Sequence, residues 1–229
     1  MLVSAILPVY NESAVLRSSV RRLERALEKT EYDYEIIISE DGSTDGTEGV
    51  AEELAKKNKK IRFIHSAKRL GKGGGIKKSL KYAKGEVLFF TDIDLSADLA
   101  CLDELIEGAK ENSICVGSRM LPDSKVDRQM IRSIASRVYN LLVRLLFKTE
   151  IKDMQCGFKA FHKNMKNILL AAKSNGWFWD TEVLLLAERN RIKVKQIPVK
   201  WVKGEESKTR LIGDGVKLFL NLASLRLRM

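Results

Sequence analysis

The stretch V-L-F-F-T-D-I-D-L-S-A-D-L, residues 87–99, decides the fold. Its first four residues are apolar and large, as a strand buried on both faces requires. It then runs directly into two carboxylates, Asp92 and Asp94, separated by one residue. Two like charges at the end of a buried strand repel each other and resist leaving water unless something positive lies between them. One reading is a solvated turn with Asp98 capping the next helix. The other is that the positive charge is a divalent metal ion.

Working outward from that strand, the first half of the chain alternates strands and helices. L-V-S-A-I-L (2–7), Y-E-I-I-I-S (34–39), I-R-F-I-H (61–65), E-V-L-F-F-T (86–91) and I-C-V-G-S (114–118) read as strands. Between them, helical spacing predicts helices over 11–29, from the D-G-S-T-D-G-T turn to about Lys57, from a Gly-rich turn to about Lys84, and over 98–110. This rhythm implies an α/β fold with a mainly parallel sheet flanked by helices. Ligands bind such sheets beyond the carboxyl ends of the strands. Pro8 to Glu12, Glu40 to Ser43, Lys68 to Gly75, and Asp92 with Asp94 all fall there, so four loops are expected to meet in one crevice.

The second half reads differently. Residues 126–148 form a long amphipathic helix with Met130, Ile131, Ile134, Val138, Leu141, Leu142 and Leu145 on one face, and the tail from 213 has a wide apolar face ending in Arg226 and Arg228. Each face suits either core packing or contact with a membrane surface. The net charge of +11 lies wholly here: residues 1–125 hold 20 basic and 21 acidic residues, and residues 126–229 hold 21 and 9. Such an excess points to an anionic partner, either a membrane carrying phosphate head groups or nucleic acid. No aromatic RNA-binding motif accompanies it, which argues against nucleic acid. The mean hydropathy of −0.18 describes a folded chain. No apolar run reaches membrane-span length and the first residues lack a basic leader, so a cytoplasmic, peripheral protein is expected. Three scattered cysteines and two histidines make a zinc site improbable.

The crevice loops have distinct chemical uses. Asp41 in E-D-G-S-T-D can accept hydrogen bonds from a base or ribose, and an Asx turn would use it equally. The run K-R-L-G-K-G-G-G-I-K-K offers cations and backbone near a helix start, suited to phosphate. It is not a P-loop, because Gly73 follows Lys72, and it fails the dinucleotide pattern at Ile76. Asp92 and Asp94 would then hold Mg2+ or Mn2+ together with substrate phosphate oxygens, making a diphosphate a good leaving group. A nucleotide diphosphate sugar fits such loops.

I-L-P-V-Y-N-E-S, S-E-D-G-S-T-D-G-T, G-K-G-G-G, T-D-I-D-L-S and V-G-S-R, in this order, resemble the motifs of family 2 inverting glycosyltransferases of GT-A fold. D-M-Q-C-G-F-K-A-F (153–161) and W-F-W-D-T-E-V-L-L-L-A (177–187) resemble the polyprenyl-phosphate members, dolichyl-phosphate glucosyltransferases above all and dolichyl-phosphate mannose synthases next. The resemblance implies one GT-A domain over 1–229, with a nucleotide-sugar half (1–125) and a basic half (126–229) facing acceptor and membrane. It implies transfer of a hexose from UDP-glucose, or from GDP-mannose, to dolichyl or another polyprenyl phosphate, with no nucleic-acid partner.

Pro8, Tyr10, Glu12 and Asp41 would bind the nucleoside, with Lys72 nearby. Asp92 would touch ribose or metal, and Asp94 would be the main metal ligand. Arg119, Arg132 and Ser136 would grip the acceptor phosphate, Gln155 would line the active site, and Lys208 would lie on a loop beside the diphosphate. Asp180 and Glu182 stand where other family 2 enzymes keep a catalytic base. A saccharide hydroxyl would need that base; a phosphate acceptor, already ionised, would not. Two departures stand out: Glu40 replaces the usual Asp, and Ser96 stands where mannose synthases keep a metal-binding Gln.

Overall fold

The computed structural model describes residues 1–127, 130–202 and 211–229, with side chains in its two longest helices described from 133 and from 217. The elements in chain order are β1 (Leu2–Val9), α1 (Leu16–Leu27), β2 (Asp33–Glu40), α2 (Thr47–Lys57), β3 (Ile61–His65), α3 (Lys72–Leu80), β4 (Val87–Thr91), α4 (Leu102–Ala109) and β5 (Ile114–Ser118). There follow β6 (Lys125–Val126), α5 (Met130–Phe147), β7 (Phe158–His162), α6 (Lys166–Ala171), α7 (Trp179–Arg189), β8 (Val194–Pro198), β9 (Lys200–Trp201) and α8 (Leu211–Arg228).

Seven strands form one sheet in the order β3-β2-β1-β4-β7-β5-β8, and β6 pairs with β9 beside it. The sheet is mainly parallel, as expected from the strand–helix rhythm. Its exception is β7, which lies antiparallel between β4 and β5 with Phe158 opposite Thr91. That register starts β7 at the carboxyl end of β4, so the loop preceding it opens onto the crevice. The sequence reading had no strand here and none at β8. Strands from both halves of the chain thus interleave in one sheet.

Alternation along each strand divides the core between the two faces. Ile36, Ile38 and Phe89 pack with Leu16, Val20, Leu23 and Leu27 of α1 and with α4. Ile37 and Phe90 point the other way, into a second cluster with α3, α7 and the buried side of α5. Spacings of four, three and four residues in α1 place Leu16, Val20, Leu23 and Leu27 on one stripe.

Boundaries shifted where side chains compete for backbone. Residues 11–15 form a turn instead of the predicted first helical turn. Asn11 takes the left-handed conformation (φ 54°), its N–H donates to Ser43 Oγ at 2.9 Å, and Glu12 N–H donates to Thr47 Oγ1 at 2.7 Å. The predicted helix cap at Asp98 is present, with its Oδ1 accepting from Ala100 N–H at 3.0 Å. On α5 the core-facing residues are Tyr139, Asn140 and Val143. The apolar row Ile134, Val138, Leu141 and Leu145 faces outward, 49–68% exposed. On α8, Leu222 and Leu225 are buried while Phe219, Leu220 and Leu227 are exposed.

Candidate active site

The positive charge beside Asp92 is supplied by a lysine, shared with Asp180 and not with Asp94. Lys72, first residue of α3, holds its Nζ 2.8 Å from Asp92 Oδ1 and 3.1 Å from Asp180 Oδ2. Asp180, in the first turn of α7, receives Lys159 on its other oxygen at 2.5 Å. Lys159 lies in β7 between Phe158 and Ala160, and its Nζ also donates to the carbonyls of Met154 (2.9 Å) and Cys156 (2.8 Å). The result is an alternating chain, Asp92–Lys72–Asp180–Lys159, whose last three members are almost fully buried. Burying one such charge alone costs several kcal/mol; alternation is what makes the set tolerable. Burial works against the Lys72 ammonium, but Asp180 and Asp92 outweigh it and hold its pKa above the ordinary lysine value. Burial raises the Asp92 carboxyl above the usual carboxylate range; Lys72 opposes this, and Asp94 adds to it.

Asp94 points elsewhere, accepting from Ser96 Oγ (2.6 Å) and Ser96 N–H (3.1 Å). Asp92 is wedged against the loop before β7: a Cβ on Gly157 would lie 1.8 Å from its Oδ2. No group of three or more His, Cys, Asp or Glu suited to a metal occurs among the described residues. Two carboxylates, Asp94 without an ion pair among the described residues, still fit a Mg2+- or Mn2+-type cation whose other ligands come from diphosphate and water.

The glycines of G-K-G-G-G have a packing role that the sequence reading did not assign. Gly73, Gly74 and Gly75 are buried in α3. A Cβ on Gly73 would sit 2.4 Å from Trp179 Cβ, and Gly75 accepts a hydrogen bond from Ser39 Oγ. Small residues here let α3 approach α7 and β2 closely enough for Lys72 to reach Asp180.

The nucleoside candidates gather at the ends of β1 and β2. Pro8, Tyr10 and Glu12 follow one another along β1 and its turn, and Asp41 adjoins them through its N–H on Val9 O at 3.0 Å. The Asp41 carboxylate accepts the N–H groups of Leu70 (2.6 Å) and Gly71 (2.8 Å), tying down the loop after β3. Arg69 of that loop lies 3.8 Å over the Tyr10 ring, a contact absent from the sequence reading. Glu40 is buried and lies 2.6 Å from His65 Nδ1. Burial opposes its ionisation, but hydrogen bonds from Ser43 and His65 prevail and lower its pKa.

On the acceptor side, Arg119 follows β5 and makes a two-pronged pair with the fully buried Asp153, Nε–Oδ2 2.7 Å and Nη2–Oδ1 2.8 Å. Its guanidinium also stacks 4.8 Å from the Trp201 ring. Burial opposes both charges, yet the pairing wins, raising the Arg119 pKa and lowering that of Asp153. Gln155 Nε2 donates to Thr181 Oγ1 at 2.8 Å, one residue from Asp180. Ser136 lies on α5, its carbonyl accepting from Asn140 Nδ2. The Arg132 side chain and Lys208 lie outside the described residues. Glu182 is not joined to the ion-pair chain: its carboxylate accepts from Ser174 N–H (2.8 Å) and lies 3.8 Å from Arg228.

Sequence reasoning overlooked Lys159, and Asp153 as the partner of Arg119. The available signal was one charged residue inside the apolar run F-K-A-F.

The Glycosyl transferase family 2 pattern matches residues 4–168. The chain belongs to glycosyltransferase family 2. Glycosyltransferase AglD of Haloferax volcanii is 39% identical over 217 residues, 93% of this chain. The match spans only about a third (35%) of that relative's length. The dolichyl-phosphate beta-glucosyltransferase of Saccharomyces cerevisiae is 28% identical over 99% of this chain and 75% of its own. One from Trichomonas vaginalis is 32% identical over 96% and 71%. Among solved structures, glucosyl-3-phosphoglycerate synthase of Mycobacterium tuberculosis bound to UDP superposes with TM-score 0.71 at 18% identity, covering 98% of this chain and 80% of that one. This glycosyltransferase therefore has the GT-A fold that its motifs implied.

Proposed function

We propose that this glycosyltransferase moves a hexose, glucose in the first instance, from UDP-glucose to the phosphate of a polyprenyl phosphate such as dolichyl phosphate. It would act at the cytoplasmic face of a membrane. The observation that carries this reading is the double engagement of Asp180 by Lys72 and Lys159. A carboxylate held by two ammonium groups is poorly placed to take a proton from a hydroxyl. A phosphate monoester, with a second pKa of roughly 6, reaches the site already ionised and needs no base. The names of the dolichyl-phosphate relatives support the same acceptor class.

In this reading an acceptor phosphate oxygen forms a bond to the anomeric carbon as the bond to the nucleotide diphosphate breaks, inverting the configuration. Arg119, kept rigid by Asp153, orients the acceptor phosphate together with Arg132 and Ser136. Asp41 and the Tyr10 turn take the nucleoside, and the family resemblance assigns Lys208, outside the described residues, to the diphosphate. Asp92 and Asp94 are the residues that would hold Mg2+ or Mn2+; bound there, the ion would neutralise charge developing on the leaving diphosphate. Lys72 keeps Asp92 in place. Membrane proximity is supported by the basic second half and by the outward apolar rows of α5 and α8. No helix among the described residues is long and apolar enough to cross a bilayer.

The test is transfer of labelled glucose from UDP-glucose, and separately mannose from GDP-mannose, into a butanol-extractable product with polyprenyl phosphate and Mg2+ or Mn2+. Asp94→Ala is expected to lose on the order of 10³-fold in rate, as removal of several kcal/mol of charge stabilisation implies. Label entering lipid only from GDP-mannose would reassign the donor. Label entering a saccharide and never lipid would overturn the acceptor.

A further inference from the structure

A second basic feature lies apart from the crevice. Met120, Arg137, Asn140, Leu141, Arg144 and Lys152 line a surface cavity of about 390 Å³. Arg137 and Arg144 are two turns apart on one side of α5, about 10 Å along the axis. Lys152 comes from the segment after α5, where its backbone N–H is fixed by Gln196 Oε1 at 2.7 Å. Asn140 forms the floor and is itself locked, donating to Ser136 O and accepting from Met154 N–H. No Asp or Glu lines the cavity, and among the described residues none of the three cations has a carboxylate within ion-pair distance.

The buried cations of this chain are paired: Lys72 with Asp92 and Asp180, Arg119 with Asp153, Lys159 with Asp180. Three cations lining one cavity, with no carboxylate partner among the described residues, offer a place for an external anion. The surroundings say which kind. Leu141 belongs both to the cavity and to the exposed row Ile134, Val138, Leu141, Leu145. A free anion has no use for that row, whereas a headgroup with acyl chains attached meets both surfaces at once. On α5 the cavity borders one candidate acceptor residue, Ser136, whose carbonyl holds Asn140, and Arg137 and Arg144 are set to one side of it, roughly 80–100° around the helix axis.

We propose that this cavity is a binding site for the phosphodiester headgroup of an anionic glycerophospholipid, distinct from the acceptor-phosphate site. It seats α5 on the bilayer, with the apolar row against the acyl boundary. Met120 and Lys152 each adjoin a member of the Arg119–Asp153 pair in sequence, so headgroup capture would set that pair at a defined height above the membrane. The site deepens the membrane-surface reading above and rests on it only for the presence of a bilayer.

The experiment measures binding of the whole chain to vesicles of phosphatidylcholine with and without phosphatidylglycerol, lacking sugar donor and polyprenyl phosphate. The triple variant Arg137→Gln/Arg144→Gln/Lys152→Gln is compared with Arg21→Gln/Arg22→Gln/Lys29→Gln, which removes the same charge from exposed positions at α1. The cavity variant should bind anionic vesicles roughly a hundredfold more weakly, from the usual contribution of basic residues at such surfaces. The α1 variant should change by less than about threefold. Should the triple variant not fold, Arg144→Gln alone should still give roughly a fivefold loss. Equal losses in both triple variants would mean diffuse attraction and overturn the site. So would competition by inorganic phosphate with no difference between the variants on vesicles. Because neither donor nor acceptor is present, failure of sugar transfer to polyprenyl phosphate would sink the proposed function and leave this result standing.

Discussion

The crevice and the outer face of α5 solve opposite problems with the same residue types. In the crevice the charges are buried and alternate in sign, each held by a neighbour of fixed geometry. On α5 the cations are exposed, unopposed by carboxylates among the described residues, and set beside apolar side chains that the fold leaves uncovered. A buried charge must be satisfied by the protein itself, because no solvent is there to do it. An exposed cation can wait for a partner. The crevice is thus complete as a scaffold, while the α5 face is complementary to something outside the chain.

That contrast can be broken most sharply at Lys159. Lys159→Met removes one partner of a buried pair and should destabilise the protein by about 3–5 kcal/mol, read as a denaturant midpoint shift at constant slope. Adding Asp180→Asn should recover part of that loss. No recovery would mean that Lys159 acts through its carbonyl contacts and not through charge. Truncation of the apolar core provides a scale: Leu222→Ala, at the buried side of α8, should cost about 2–5 kcal/mol.

Acid should separate the regions as well. Asp153 is held below the ordinary carboxylate pKa by Arg119. Its contribution is therefore complete above the unfolded value of about 3.9 and is lost as pH falls through the folded-state value. Stability measured against pH should fall more steeply below about pH 4 in the wild type than in Asp153→Asn, which starts lower at neutral pH. Identical slopes would show that the pair does not control acid stability.

Gly157→Ala should cost about 1–3 kcal/mol, because its methyl group collides with Asp92. Sugar transfer should fall by more than stability accounts for, since Asp92 must move. The smallest effect belongs to the outer face: Leu220→Ser, 66% exposed on α8, should leave stability within about 0.5 kcal/mol while weakening vesicle binding.

Much of this was legible in the sequence because its signals are local. Five apolar runs announced β1 to β5, and the loops after β1 to β4 do touch one another, Asp41 bonding to Val9, Leu70 and Gly71 and Lys72 reaching Asp92. β7 was illegible for a definite reason: a lysine interrupts its apolar run, and an antiparallel insertion between β4 and β5 has no signature in local rhythm. The Arg119–Asp153 pair spans 34 positions, a separation at which nothing in the spacing singles out one aspartate. The apolar row on α5 was visible, but whether it faced core or solvent was not.

The order of strands and helices, the family motifs and the basic bias of the second half follow from the sequence alone. Each is written in contiguous residues or in their sum. Which carboxylates share a lysine, which face of α5 stays uncovered and where three cations converge were decided only on folding. Those outcomes depend on side chains brought together by the sheet from distant positions, and burial then converts that proximity into electrostatic consequence.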